Sequence, residues 1–160
     1  SFLLNAFQRS GLDVEIFDHV DPEIGQAWVA SLDRRRVLDL DEAVSSWKMQ
    51  GLARDSNYII GSGECTLTPM FDKDVRLITL QFENYRQRPV TLTWCADAGA
   101  AAGKPRTKTY TSGRHFLSLD RSYAGKTLQL DIESWRPSLE SGSEDNRTHG
   151  IHISKIFAFG

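Results

Sequence analysis

The chain has 160 residues, of which 40% are hydrophobic and 25% are charged, and its formal net charge is −2. This composition is typical of one soluble globular domain of ordinary size. The acidic balance argues against a general nucleic-acid-binding protein, which would normally be basic. No apolar stretch approaches the length of a membrane span, so we expect no membrane-spanning segment.

The first 55 residues carry helix signals. A first helix is predicted over 22–32. Asp21 can cap it by accepting unpaired backbone N–H groups, and Pro22 loses nothing at the first helical position. A second helix is predicted over 41–51, where a glycine free to take positive φ ends it. Short strands are predicted at 13–17 and 34–40. Residues 1–55 are therefore interpreted as an N-terminal helical or α/β appendage or linker.

From residue 56 the hydrophobic period shortens to two. Segments of alternating character are bounded by Gly, Pro, Asn, Asp or Ser, and no long helical pattern interrupts them. The strand-like segments are "ECTLTP", "VRLITLQFENY", "PVTLTWCAD", "RTKTYTS", "RHFLSLD", "TLQLDIESW" and "GIHISKIFAF". This pattern predicts an all-β module over 56–160, an antiparallel β-sandwich of jelly-roll type.

The alternation separates an apolar face from a polar one. Trp94 shares its side with apolar neighbours and is predicted to lie in the core. The other residues predicted to be buried are Ile78, Leu80, Phe82, Leu92, Leu128, Leu130, Ile132, Ile151 and Ile153. The polar face has two interpretations, a solvated outer sheet or a binding surface.

The sequence offers no catalytic constellation. None of the four histidines lies in an HExxH motif, and no GxSxG motif accompanies them. His149 and His152 are three apart in a strand-like segment, so we expect their side chains on opposite faces, where they could not easily share a metal. The two cysteines, Cys65 and Cys95, are interpreted as free buried thiols. We therefore predict a non-enzymatic chain.

We expect no cofactor and no essential metal. Asp72 and Asp74 are spaced like the first ligands of a calcium loop, but Arg76 follows where a further oxygen is needed. The turn at 143–146 is acidic as well, yet Arg147 competes for its carboxylates. A solvated acidic turn is the simpler explanation at both places.

Sugar binding requires fewer groups acting together than catalysis does. An aromatic ring stacks on the C–H side of a pyranose, and fixed amides and carboxylates bond its hydroxyls. The candidate ligand-binding residues are Trp135, Glu133, Asp131, Gln129, Gln81, Glu83 and Tyr85. An alternative for Trp135 is that it only caps the edge of the core.

The closing stretch, from Glu140 to Gly160, places a polar loop beside a buried final strand. Asp145 and Arg147 are predicted to pair and to hold this loop against the sheet. Gly150 would permit the turn or the close approach that the last strand needs. We favour this structural role over a ligand-binding role.

The order "TLQLDIESWRPS…SGSEDNRTHGIHISKI" resembles the end of galactose-binding-like, carbohydrate-binding β-sandwich modules. Such modules occur beside bacterial glycosyltransferases and other surface-polysaccharide proteins. The resemblance implies a non-catalytic accessory role with a polysaccharide or glycan as partner, and docking to a catalytic domain or to a second copy. The alternative is a protein–protein interaction or oligomerisation domain that binds no sugar.

Overall fold

The computed structural model describes residues 36–97 and 104–160. This part of the chain contains nine strands, and every strand pair is antiparallel. The strands are β1 (Arg36–Leu38), β2 (Gln50–Asp55), β3 (Tyr58–Leu67), β4 (Leu77–Asn84), β5 (Val90–Asp97), β6 (Arg106–Tyr110), β7 (Gly113–Asp120), β8 (Thr127–Ile132) and β9 (Ile151–Phe159). Between them lie helix α1 (Leu40–Ser46), a 3-10 turn (Arg121–Tyr123) and helix α2 (Pro137–Glu140). None of these helices is long and apolar enough to cross a membrane.

The strands form one nearly closed sheet in the order β6-β5-β8-β3-β9-β4-β7. The ten-residue strand β3 joins its two parts, because its first half pairs with β9 and its second half pairs with β8. Ile59 lies opposite Ile153, and Leu67 lies opposite Leu128. The prediction of an antiparallel all-β fold is confirmed.

The core lies on the face that the alternation predicted. All nine apolar side chains predicted to be buried are at most 3% exposed, and Trp94 joins them at 8%. A strand sends alternate side chains to opposite faces, so one inward position fixes the others in the same strand. Both cysteines are free, Cys65 buried and Cys95 half-buried. Burial raises the pKa of the Cys65 thiol, which disfavours a reactive thiolate.

Helix α1 is shorter than the predicted helix over 41–51. It begins after Asp39, whose side chain accepts the backbone N–H groups of the first turn at 2.8 and 3.2 Å, and it ends at Ser46. Lys48 then takes a positive φ of 49°, which reverses the chain into β2. Gly51 lies within β2 with a φ of 74°, so its left-handed conformation serves an irregular strand and not a helix end.

Residues 36–55 belong to the same sheet and core as the rest of the described chain. β1 pairs with β9, and β2 pairs with β3. Trp47, which follows α1, is 3% exposed and packs in the common core. The predicted boundary after residue 55 therefore falls inside the β2–β3 hairpin. The helix predicted over 22–32 and the strand predicted at 13–17 lie outside the described residues.

Candidate functional site

The structure divides the seven predicted ligand-binding residues among four environments. The reason is topological, because β3 and β9 separate β8 from β4 in the sheet. Gln129 and Asp131 border a groove, and Glu133 joins a network around Arg86. Gln81 is 5% exposed and forms a hydrogen bond to Ser154. The remaining three residues, Glu83, Tyr85 and Trp135, lie near two histidines.

The groove, called here the β8 groove, has a volume of about 400 Å³. Three neighbouring strands build it, with Glu64 and Thr66 from β3, Gln129 and Asp131 from β8, and Thr93 and Cys95 from β5. These six side chains alternate with core residues and therefore point away from the core. The volume falls within the range of small-ligand sites, about 300–1,000 Å³.

Two carboxylates lie directly opposite each other in the β8 groove. Glu64 is the cross-strand neighbour of Asp131, and both are exposed. Like charges in this position destabilise a sheet. Within residues 36–97 and 104–160, neither carboxylate has a hydrogen-bond or ion-pair partner. Their acceptor capacity is therefore not used by the described fold and is available to a ligand.

Glu133 has a structural partner instead. Its carboxylate pairs with Arg86 at 2.7 Å and accepts the backbone N–H of Thr91 at 3.0 Å. Arg86 also pairs with Glu140 at 2.7 Å, so one guanidinium ties α2 to the residue that follows β8. Arg86 lowers the pKa of both carboxyl groups by hydrogen bonding. Glu133 is thus held in place by the fold and is a poor candidate for binding sugar.

Trp135 is a half-buried residue that packs against the core. Its indole N–H donates to the carbonyl of Gly150 at 3.0 Å, and its ring lies 5.4 Å from that of His149. This geometry favours the interpretation that Trp135 caps the edge of the core. Among the aromatic side chains that the structure describes, that of Tyr85 is the most exposed, at 49%.

His149 and His152 are in contact, so the expectation that they point to opposite faces was wrong. Nδ1 of His149 lies 3.0 Å from Nε2 of His152. Alternation fails here because β9 begins only at Ile151, while His149 precedes it and forms a bridge with Trp135. We call the two histidines, together with Asp145, Tyr58 and Tyr85, the aromatic–histidine cluster.

When both histidines are neutral, the hydrogen bonds of the cluster determine which ring nitrogen carries the proton. The carboxylate of Asp145 can only accept, so His149 donates from Nε2 to Asp145 at 2.9 Å. A neutral His149 then accepts at Nδ1 from Nε2 of His152. Nδ1 of a neutral His152 consequently carries a lone pair, and this buried atom has no hydrogen-bond partner in the described part of the chain.

The two tyrosines close the cluster on its outer side. Tyr85 donates from its hydroxyl to that of Tyr58 at 2.9 Å, and their rings lie 4.9 and 5.5 Å from the ring of His152. Burial, followed by the bond to Tyr58, raises the pKa of Tyr85 to about 12. Both rings flank a buried imidazole that is 9% exposed.

The closing loop is held by the pair that the sequence suggested. Arg147 contacts both carboxylate oxygens of Asp145 at 3.2 Å and reaches Asp55 of β2 at 3.2 Å. The Arg147 guanidinium holds the pKa of Asp145 well below its usual range. Asp72, in the other acidic turn, pairs with Arg36. In the described ranges, no three metal-ligating side chains converge as a metal site would require.

Acid should destabilise the fold through His152. Burial, aided by the charge of nearby Arg147, lowers the pKa of His152 from 6.5 to about 4. Between these values the unfolded chain binds the additional proton, so stability is fully present above about pH 6.5 and is lost as the pH falls towards about 4. We expect the melting temperature to decrease as the pH falls from about 6.5 to about 4. In the His152→Gln variant, the melting temperature should depend less steeply on pH. Equal slopes in both proteins would contradict this assignment.

Comparison of the chain with protein families, with curated proteins and with solved structures finds no match. The resemblance to galactose-binding-like modules therefore stays a prediction. Sequence reasoning did not identify Glu64, Arg86, Tyr58 or the histidine contact. Glu64 alone had a local signal, because it occupies a polar position at the start of "ECTLTP".

Proposed function

We propose that this chain is a non-catalytic carbohydrate-binding module that recognises a bacterial polysaccharide or glycan in the β8 groove. The observation that carries the proposal is the groove itself, about 400 Å³ in volume, with two carboxylates and two threonine hydroxyls on its walls. Carboxylates accept hydrogen bonds from sugar hydroxyls, and threonine hydroxyls can donate or accept. Gln129 adds an amide that can do both.

The proposed architecture is a two-layer sandwich of jelly-roll type. The strands on either side of β3 support it, since β8, β5 and β6 continue the sheet on one side and β9, β4 and β7 continue it on the other. In such an arrangement the core lies between the layers, and the β8 groove lies on an outer face. The module would present glycan to a catalytic domain elsewhere in the protein.

Glycan-array binding followed by calorimetry tests the proposal. Asp131→Ala and Gln129→Ala should each weaken binding of the best glycan by about tenfold, since a buried hydrogen bond to a charged or amide group contributes on that scale. Asp74→Ala is the matched control, because Asp74 is exposed in a turn outside the groove. Equal weakening by the control and the groove variants would show that binding does not use the β8 groove.

A protein–protein interaction or oligomerisation domain is the second candidate function. Val37 favours it, since this side chain is 57% exposed on β1, and β1 pairs only with β9 among the described strands. An edge of this kind can pair with another chain. Concentration-dependent dimerisation in sedimentation experiments, with no binding across the glycan array, would favour this candidate over sugar recognition.

A further inference from the structure

Among the described residues, two neighbouring strands of the sheet each carry a buried polar atom that has no hydrogen-bond partner. These atoms are Oε2 of Glu83, on β4, and Nδ1 of His152, on β9. The two residues are directly opposite in the β4–β9 register, where side chains begin about 4.5–5.5 Å apart. His152 is 9% exposed, and the side chain of Glu83 is 12% exposed. Buried groups of this kind normally have partners, so this pair requires an explanation.

Both atoms are acceptors. Glu83 is a carboxylate whose other oxygen, Oε1, accepts from Nε of Arg114 at 3.1 Å. With both histidines neutral, the hydrogen bonds from Asp145 through His149 leave a lone pair on Nδ1 of His152. Two acceptors cannot satisfy each other, whereas one group that carries several N–H donors can satisfy both.

The surroundings favour a cation as that donor. The rings of Tyr85 and Tyr58 flank His152, and tyrosine faces attract ammonium groups. Among the described residues, ion pairs beside the site join three carboxylates to two guanidiniums. These side chains are Glu83, Asp55, Asp145, Arg114 and Arg147.

We propose that the aromatic–histidine cluster and Glu83 form a subsite for a protonated primary amine, the free amino group of an amino sugar. This inference rests on the proposed carbohydrate-binding function and specifies its ligand class, with the amine bound on β4 and β9, apart from the β8 groove. The ammonium group donates to Oε2 of Glu83 and to Nδ1 of His152, and the tyrosine rings contact it from outside. Tyr85 must turn aside to admit the amine; it is half exposed, and its hydroxyl donates to Tyr58.

The test compares an oligomer of glucosamine with its fully N-acetylated counterpart by calorimetry at about pH 6, which lies above the pKa of about 4 of His152 and below the α-amino range of about 7.7–8.0. The unacetylated oligomer should bind at least about tenfold more tightly, because acetylation removes the charge and two donors. Glu83→Gln should abolish this preference, since its amide can donate to His152 in place of the ligand. Glu42→Gln, on α1, is the matched control and should retain the preference.

Tyr85→Ala is a second test variant for the case that Glu83→Gln does not fold, because Tyr85 is on the surface and its replacement should leave the fold intact. This change should reduce affinity for the unacetylated oligomer and leave that for the acetylated oligomer unchanged. Equal affinities of the wild-type protein for both oligomers, both lost in Asp131→Ala, would overturn the amine subsite and leave the β8 groove standing. A glycan array without any binding would overturn the proposed function as well.

Discussion

Replacement of Trp47 by alanine is expected to lower the free energy of unfolding by about 3–5 kcal/mol. Trp47 is 3% exposed in the common core, and its carbonyl accepts the backbone N–H of Thr68 at 2.7 Å. Removal of the indole leaves a cavity beneath α1 that the surrounding strands cannot fill without shifting. Urea unfolding followed by circular dichroism measures the loss.

The same experiment tests whether residues 36–55 are part of the cooperative fold. We expect a single transition in the wild-type protein and in Trp47→Ala, with the midpoint shifted. Val37→Ala is the control, since an exposed side chain should change stability by less than about 0.5 kcal/mol. Two separate transitions, or a Trp47→Ala effect as small as that of the control, would mean that these residues form an independent appendage.

Gly150→Ala is expected to destabilise the fold by about 3 kcal/mol, at the upper end of the cost of overpacking. A Cβ atom on Gly150 would lie 2.2 Å from the carbonyl oxygen of Gly61 and 2.7 Å from Cγ2 of Ile132. The first contact is with backbone, which cannot move aside as a flexible side chain can. Gly150 therefore serves a close approach between the closing loop and β3.

Comparison with Gly142→Ala distinguishes a steric clash of the added Cβ atom from strain in the backbone. Gly142 has a φ of 70°, and a Cβ atom added there would have no other atom within 4 Å, so only the left-handed conformation opposes the change, at a cost of about 1–2 kcal/mol. Gly150 has no positive φ, so its cost comes from the contact alone. Thermal and urea unfolding of both variants should rank Gly150→Ala as the more damaging. The reverse ranking would contradict the close-approach explanation.

Most of the described fold was predictable because strand periodicity is a local signal. The segments around Leu80, Leu130 and Ile153 alternate strictly, and their inward side chains are all buried. The boundary after residue 55 was not predictable in the same way. A glycine with positive φ fits a helix end as well as an irregular strand, and only the pairing of β2 with β3 distinguishes the two at Gly51.

The candidate sites were predictable in composition but not in arrangement. Alternation placed Gln129 and Asp131 on one outward face, and both border the β8 groove. It could not indicate that β3 and β9 lie between β8 and β4, because strand order depends on long-range pairing. The contact between His149 and His152 depends on β9 starting at Ile151, and boundaries of this kind are the least certain part of a sequence-based prediction.

The most direct test of carbohydrate binding is an NMR titration of the isotope-labelled protein with the best ligand from the glycan array. We expect saturable amide shifts concentrated on the outward residues of the β8 groove, with Glu64, Thr93 and Asp131 among the largest. Shifts confined to β1 and growing with protein concentration in the absence of glycan would contradict carbohydrate binding and identify a surface for protein association instead.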